Sequence, residues 1–347
     1  MIHILGDRVG LIGLLTILYL TACNSSPEVG ESSPAAVELA KEPRPLMTAV
    51  LQVTTTRVQS TQRAMPPNTL TPLPPVTPTP RPTPTSAPTA LPPPSPAPVS
   101  FAVIGDYGTT GQGTQDVAAL VNSWDPDFVI TLGDNNYPDG SYETLDGNVM
   151  QHYGRFIVEG RFFPALGNHD MTTENGRPFL EAFELPGNER YYDFVWADVH
   201  LFALNSDWRE PDGITSGSRQ AAWLEEQLAA SSTPWQVVYL HTPPYVSMED
   251  KMVPAARWPF ASWGADLVLS GHAHLYERLL IDGIPYVVNG LGGGGIYPFD
   301  EQAHPASQMR FNDNYGALLV EVTAEQLALQ FVTREGSVVD YLTLSNQ

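Results

Sequence analysis

Residues 99–347 predict an α/β (α+β) fold: two packed mixed β-sheets flanked by helices. Three features of the chain predict it. Short apolar runs rich in Val, Ile, Phe and Tyr recur at lengths suited to buried strands. Amphipathic helical stretches lie between some of them. After Gly316 the helical pattern stops and only strand-like segments follow.

What precedes residue 99 has a different texture. Val9 to Leu20 form an apolar run behind Arg8, too short to span a bilayer comfortably and suited to an export signal. Leu20-Thr21-Ala22-Cys23 follows and resembles a bacterial lipobox, with the only cysteine of the chain at the position that would be acylated. Residues 1–22 are therefore expected to be a lipoprotein signal peptide and Cys23 the lipidation site. Two or more acyl chains would anchor the protein stably. Residues 23–98 read as a Pro/Thr-rich disordered linker. Of the 33 prolines in the chain, 15 fall within Pro66 to Pro98. Proline fixes φ and removes amide donors, so this stretch should be an extended spacer of about 3.1 Å per residue, reaching roughly 100 Å. The expected location is outside the cytoplasm, with the membrane touched only through the lipid at Cys23.

The globular part begins at Val99. Its strands are expected at Phe101–Ile104, Phe128–Leu132, Phe194–Trp196, Val199–Leu204, Trp235–Leu240, Leu267–Ser270 and Pro285–Asn289. Thr114–Asn122 places Val117, Leu120 and Val121 on one helical face, and Ser218–Ala230 places Trp223, Leu224 and Leu228 behind a serine cap. The tail strands are Ala317–Val322, Leu327–Phe331 and Val338–Leu344. From Val99 on there are 33 acidic and 11 basic residues, a balance of −22, so the chain's net charge of −21 belongs wholly to this part. Such a surface argues against nucleic-acid binding, which needs a basic stripe, and against a polybasic lipid contact. A single cysteine excludes disulfide frameworks and cysteine-rich zinc sites.

Five strand-like runs end in polar residues of metal-binding type. Phe101–Ile104 runs into Gly105-Asp106-Tyr107-Gly108, and Phe128–Leu132 into Gly133-Asp134-Asn135-Asn136-Tyr137. Phe162–Leu166 runs into Gly167-Asn168-His169-Asp170, Trp235–Leu240 into His241, and Leu267–Ser270 into Gly271-His272-Ala273-His274. Each piece alone has a plain structural explanation as a turn or a satisfied loop histidine. Together they fit one dinuclear metal centre. Two cations about 3.5–4 Å apart need an anionic bridge, which one aspartate can supply. Imidazole suits a borderline divalent ion, while carboxylate and phenolate suit a harder one.

The ordered set Asp-x-Gly, Gly-Asp-x-x-Tyr, Gly-Asn-His-Asp, a strand ending in His, and Gly-His-x-His resembles the purple acid phosphatase family of calcineurin-like metallophosphoesterases. The likeness runs from Gly105 to His274, and His274-Leu275-Tyr276-Glu277-Arg278 is similar to the larger, plant-type members. The Pro-rich stretch stands where those members carry an N-terminal β-domain. The resemblance implies an αββα sandwich over 99–347 and a centre of Fe(III) with Fe(II), Zn(II) or Mn(II). It implies that Asp106, Tyr137 and His274 hold the ferric ion, that Asp134 bridges, and that Asn168, His241 and His272 hold the second metal. His169 would be the outer-sphere acid, with Asp170 read either as orienting it or as a turn-forming acid. Gly108 stands where most related phosphoesterases have a histidine ligand, and Tyr137 would supply the missing donor.

The implied reaction is hydrolysis of a small phosphate monoester by in-line attack of metal-bound hydroxide. A phosphodiesterase of the same superfamily, acting on cyclic or nucleotide esters, is the alternative. A surface binding protein with a decayed site, or a scavenger of metal or phosphate, are readings from other classes. The glycine run at 292–295 is expected either to line the substrate pocket or to form a tight loop. His200 reads as structural, His152 and His304 have no motif around them, and oligomeric state is open.

Overall fold

The structure, a computed structural model, describes residues 98–346. The signal segment, Cys23 and the linker up to Ala97 lie outside the described residues. No helix among the described residues is long and apolar enough to cross a membrane.

Two sheets form the body. The first has six strands, with β1 (Val99–Ile104), β2 (Phe128–Thr131) and β3 (Phe162–Pro164) parallel at one side. The tail strands β11 (Gly316–Val322), β12 (Gln326–Thr333) and β13 (Val338–Ser345) continue it antiparallel beyond β1, in the order β13-β12-β11-β1-β2-β3. The second sheet has seven strands. Its parallel centre is β5 (Val199–Ala203), β6 (Trp235–Leu240), β7 (Leu267–Ser270) and β9 (Ile284–Asn289). β4 (Tyr192–Trp196), β8 (Tyr276–Ile281) and β10 (Ser307–Phe311) complete the order β10-β8-β9-β7-β6-β5-β4.

The continuous apolar runs arise because the central strands are covered on both faces. In the second sheet, Leu201, Val237, Tyr239, Leu269 and Val287 point into a core shared with Phe101, Val103, Leu318, Val320 and Phe331 of the first. The alternate residues Phe202, Val238, Leu240, Val268 and Val288 face outward onto Ala221, Leu224 and Leu228 of the helix Arg219–Ala230. Ser218 caps that helix, its Oγ accepting from the Ala221 amide at 3.1 Å. On the other side the helix Gln112–Trp124 buries Val117, Ala118 and Val121. Two fully buried layers of this kind fix strand register, because a one-residue slip would turn each apolar set outward.

Several elements go beyond the expected set. The stretch Tyr142–Val158 is helical, with a π-turn at Asp146–Met150 that interrupts the α-helical period. Its Gly147 and Gly154 masked the signal. β8 follows the last candidate ligand by one residue and carries Glu277 and Arg278, charges that hid it in the sequence. Glu277 is fully buried and accepts from the Ser247 amide and hydroxyl, each at 2.6 Å; Arg278 pairs with Asp340 of β13 at 2.7 Å.

Candidate metal centre

The parallel strands of both sheets end at one edge of the sandwich, and the loops that leave them meet there. Those loops carry Asp106 after β1, Asp134 and Tyr137 after β2, Asn168 and His169 after β3, His241 after β6, and His272 and His274 after β7. Asp106, Asp134 and His272 adopt left-handed backbone conformations, with φ of 56°, 52° and 65°. Such conformations cost non-glycine residues of order 1–3 kcal/mol each and persist where surrounding contacts enforce them. Gly167 shows how tight the packing is. A Cβ there would lie 2.1 Å from the Asp134 amide nitrogen and 2.2 Å from its Oδ1.

The donor atoms fall into two groups about Asp134. On one side the Tyr137 hydroxyl lies 3.0 Å from Asp134 Oδ2, 3.1 Å from His274 Nε2 and 3.4 Å from Asp106 Oδ1. On the other, His241 Nε2 lies 3.3 Å from Asp134 Oδ1, 3.0 Å from Asn168 Oδ1 and 3.2 Å from His272 Nδ1. The two oxygens of one carboxylate thus face separate donor sets. His241 Nδ1 is 2.8 Å from the Leu132 carbonyl. A carbonyl can only accept, so Nδ1 carries the proton and the opposite nitrogen is left to face the cluster. His272 is held through its amide, which donates to Asp106 Oδ2 at 2.8 Å.

This donor set fits a pair of cations. Asp106 and Asp134 are buried with no lysine or arginine bonded to them among the described residues. The ring nitrogens of His241 and His272 face each other at hydrogen-bonding distance, and His274 Nδ1 is buried with no hydrogen-bond partner among the described residues. Electrostatics without an ion say the same. Burial alone would raise the Asp134 pKa, but His241 and His169 outweigh it and hold the carboxyl below its ordinary range. Burial would keep His241 neutral, yet Asp134 and Asp106 push its pKa up to about 10. His272 drops to about 4, through burial first and then the His241 charge. Two buried carboxylates that draw a buried imidazole toward its charged form mark a place where positive charge is stabilised.

His169 is at the rim, 37 % exposed, with Nε2 3.9 Å from Asp134 Oδ2 and its ring against Tyr137. Its Nδ1 bonds the Pro138 carbonyl, which sets the ring's orientation. Asp170 does not do this, as one reading of the sequence had it, because its carboxylate is turned elsewhere. It accepts from the Gly167 amide at 2.8 Å, the Asn135 amide and side chain, and the Asn136 amide. It therefore clamps the loop after β3 to the loop after β2, and burial and the nearby Asp134 raise its pKa to about 7.

Other residues shape the site without a motif that announces them. Arg209 donates to the Asn168 carbonyl at 3.0 Å and the Met171 carbonyl at 2.8 Å, while pairing with buried Asp207. The glycine run lies against the candidate ligands: the Gly294 amide donates to Asp106 O at 2.7 Å, and a Cβ there would meet that oxygen at 2.6 Å. Tyr297 stacks on His274, with ring centroids 4.2 Å apart. Outside the centre, His200 bonds Asp193 and Ser231, His152 bonds the Thr109 carbonyl, and the His304 amide donates to Ser247.

Known proteins resemble this chain both in sequence and in fold. Purple acid phosphatase 22 from Arabidopsis thaliana is 33% identical over 206 residues, which are 53% of this chain and 46% of that protein. Fe(3+)-Zn(2+) purple acid phosphatase 12 from the same plant is 28% identical over 224 residues, 56% and 46% of the two chains. The chain spans about half the length of the curated relatives it matches. Purple acid phosphatase PPD1 from yellow lupin (Lupinus luteus) seeds shares the fold, with a TM-score of 0.59 at 19% identity over 72% of this chain and 54% of that one. The family described as calcineurin-like phosphoesterase matches residues 99–276, from β1 to the first residue of β8. That match takes in every loop of the centre, and the chain belongs to the calcineurin-like phosphoesterase family, with purple acid phosphatases among its relatives.

Proposed function

We propose that this chain hydrolyses phosphate monoesters at a dinuclear metal centre. The observation that carries the reading is the split carboxylate: Asp134 presents Oδ2 to the Tyr137 set and Oδ1 to the His241 set. Asp106, Tyr137 and His274 would hold one ion, Asn168, His241 and His272 the other, and Asp134 would lie between them. The Tyr137 phenol favours Fe(III) in the first position, and the imidazole-amide set favours Fe(II), Zn(II) or Mn(II) in the second. When bound, such a pair polarises phosphoryl oxygens and supplies an activated water as nucleophile.

The chain's own groups do the rest. Because His169 Nδ1 donates to a carbonyl, Nε2 is the ring atom left to face the centre, and a proton for the leaving group would be carried there by the imidazolium form. From there it can be given to the departing alcohol. Arg209 and Asp170 fix the backbone on either side of Asn168 and His169, so that both side chains keep their aim. The glycine run lets the backbone pack directly against Asp106, Tyr137 and His274, where a Cβ would collide.

The test is an absorption spectrum with metal analysis of purified protein. Two metals per chain, one of them iron, and a broad visible charge-transfer band are expected. Tyr137→Phe should abolish or strongly shift the band while leaving the fold intact. An unchanged band in that variant would remove the phenol from the ligand set.

The N-terminal signal and Cys23 belong to the same proposal, in which a lipid at Cys23 tethers the enzyme outside the cytoplasm. Cys23→Ser should shift the protein from the membrane fraction to the soluble fraction of the exporting cell. Retention at the membrane by the variant would refute the anchor.

A further inference from the structure

Lys251 is the only lysine in residues 99–347, and it stands beside the centre. Its Nζ lies 5.2 Å from the centroid of the Tyr297 ring, and that ring stacks on His274, so the ammonium is one aromatic ring removed from a candidate ligand. The position is built. Lys251 ends the short turn Glu249–Lys251, which buried Val246 and Met248 hold down. Beneath the turn, fully buried Glu277 accepts from the Ser247 amide and hydroxyl, and the Glu249 amide donates to Asp300. A buried carboxylate used to fasten a surface turn places the lysine reproducibly.

The charge around it gives this cation a purpose. Eight of the arginines in the domain are paired with carboxylates within 4.0 Å. The other two, Arg257 and Arg310, lie over Tyr245 and Phe299. Among the described residues, the one carboxylate within 4.0 Å of Lys251 is that of Asp250, at 3.6 Å and 70% exposed, a solvated pair of little strength. Lys251 therefore presents a partly buried positive charge at the rim of an otherwise acidic site. A monoester's phosphate would be consumed by the two cations, which leaves the ammonium for something else.

We propose that Lys251 is a specificity-determining residue, binding a second anionic group on the leaving-alcohol side of the substrate. The inference rests on the proposed phosphatase function. It assigns the substrate class as phosphate monoesters whose alcohol part carries a carboxylate or another phosphate. Tyr297 forms the flat wall between the two binding points, and Asp250 sets the strength of the preference by partly offsetting the lysine.

Two esters of nearly the same shape test this: 3-phosphoglycerate, which carries a carboxylate, and glycerol 3-phosphate, which carries a hydroxymethyl in its place. The metal-loaded full chain is expected to favour 3-phosphoglycerate in kcat/KM. Lys251→Met should lower that preference about 5- to 20-fold, the range for a charge-assisted contact that is partly solvated. It should do so by slowing only the carboxylate ester, with metal content and glycerol 3-phosphate turnover unchanged. Lys251→Arg should restore most of the preference, and Asp250→Asn should increase it. Calorimetric binding of the two phosphonate analogues, in which CH2 replaces the ester oxygen, should show the same ratio without turnover. Hydrolysis of both esters with a ratio that Lys251→Met leaves unchanged would overturn the role of Lys251 and leave the phosphatase reading standing. Failure of the metal-loaded wild type on every monoester would overturn both.

Discussion

Asp134→Asn should empty the centre of both metals and lower phosphatase activity by at least about 10^3-fold, the factor carried by roughly 4 kcal/mol of lost charge stabilisation. Asparagine tolerates the left-handed backbone that Asp134 adopts, so the substitution alters charge with little strain. Its amide oxygen can still accept from the His169 amide, as Oδ1 does at 3.0 Å. What it cannot supply is a second anionic oxygen toward Tyr137. Both donor sets then lose their shared negative charge, and two cations would face each other across a neutral amide. His241 responds as well. Without Asp134 its imidazole no longer has the neighbour that raises its pKa most, so it should settle as the neutral form. That relief keeps the loss of stability below the roughly 3–5 kcal/mol expected when a buried ion pair loses one partner. Metal analysis read together with circular dichroism checks the prediction. A folded variant that retains two metals would show that Asp134 is not the bridge. A variant that keeps one metal would show which donor set is self-sufficient.

The candidate site was far more legible in the sequence than the elements around it, for a physical reason. Donor atoms that converge on one point must come from strand ends, and a strand that is buried on both faces reads as an uninterrupted apolar run. Val129, Val238 and Leu269 therefore announced where the loops would begin. The ordered glycine, aspartate, asparagine and histidine after them then marked each loop as unusual. The helical stretch Tyr142–Val158 was hidden because two glycines and a π-turn break its period. β8 was hidden because its charges are satisfied by partners distant in sequence, Ser247 for Glu277 and Asp340 for Arg278. A buried charge looks like a loop residue until its partner is known.

The same distinction explains Asp170 and Arg209. Asp170, next to His169 in the chain, was open to two readings, one that orients His169 and one that serves as a turn-forming acid, and the structure supports the second. The chain turns so that Asp170 points inward, onto the amides of Asn135 and Asn136, while His169 points outward to Pro138. Arg209 lies about forty residues from the loop it holds, and nothing in its neighbourhood marks it. Ligand identity is local information and survives in a motif. Support of those ligands is tertiary and does not.

His169→Ala should keep two metals per chain and the visible band, and should lower kcat by about 10^2- to 10^4-fold, the usual contribution of a positioned acid. The structural cost of the change is small. The side chain is 37 % exposed, its bond to the Pro138 carbonyl can be replaced by water, and the ring contact with Tyr137 is at the surface. The informative measurement is how the loss depends on the leaving group. An alkyl phosphate departs as a strongly basic alkoxide and needs the proton at the moment of bond breaking. Nitrophenyl phosphate departs as a stable phenolate and needs it little. The variant should therefore be impaired much more on glycerol phosphate than on nitrophenyl phosphate. Equal impairment on both would make His169 a residue that stabilises charge on the phosphoryl group rather than one that delivers a proton. Loss of metal in the variant would move His169 into the ligand set. In that case the loop after β3 would supply one more ligand than the geometry of Asp134, Asn168 and His241 implies.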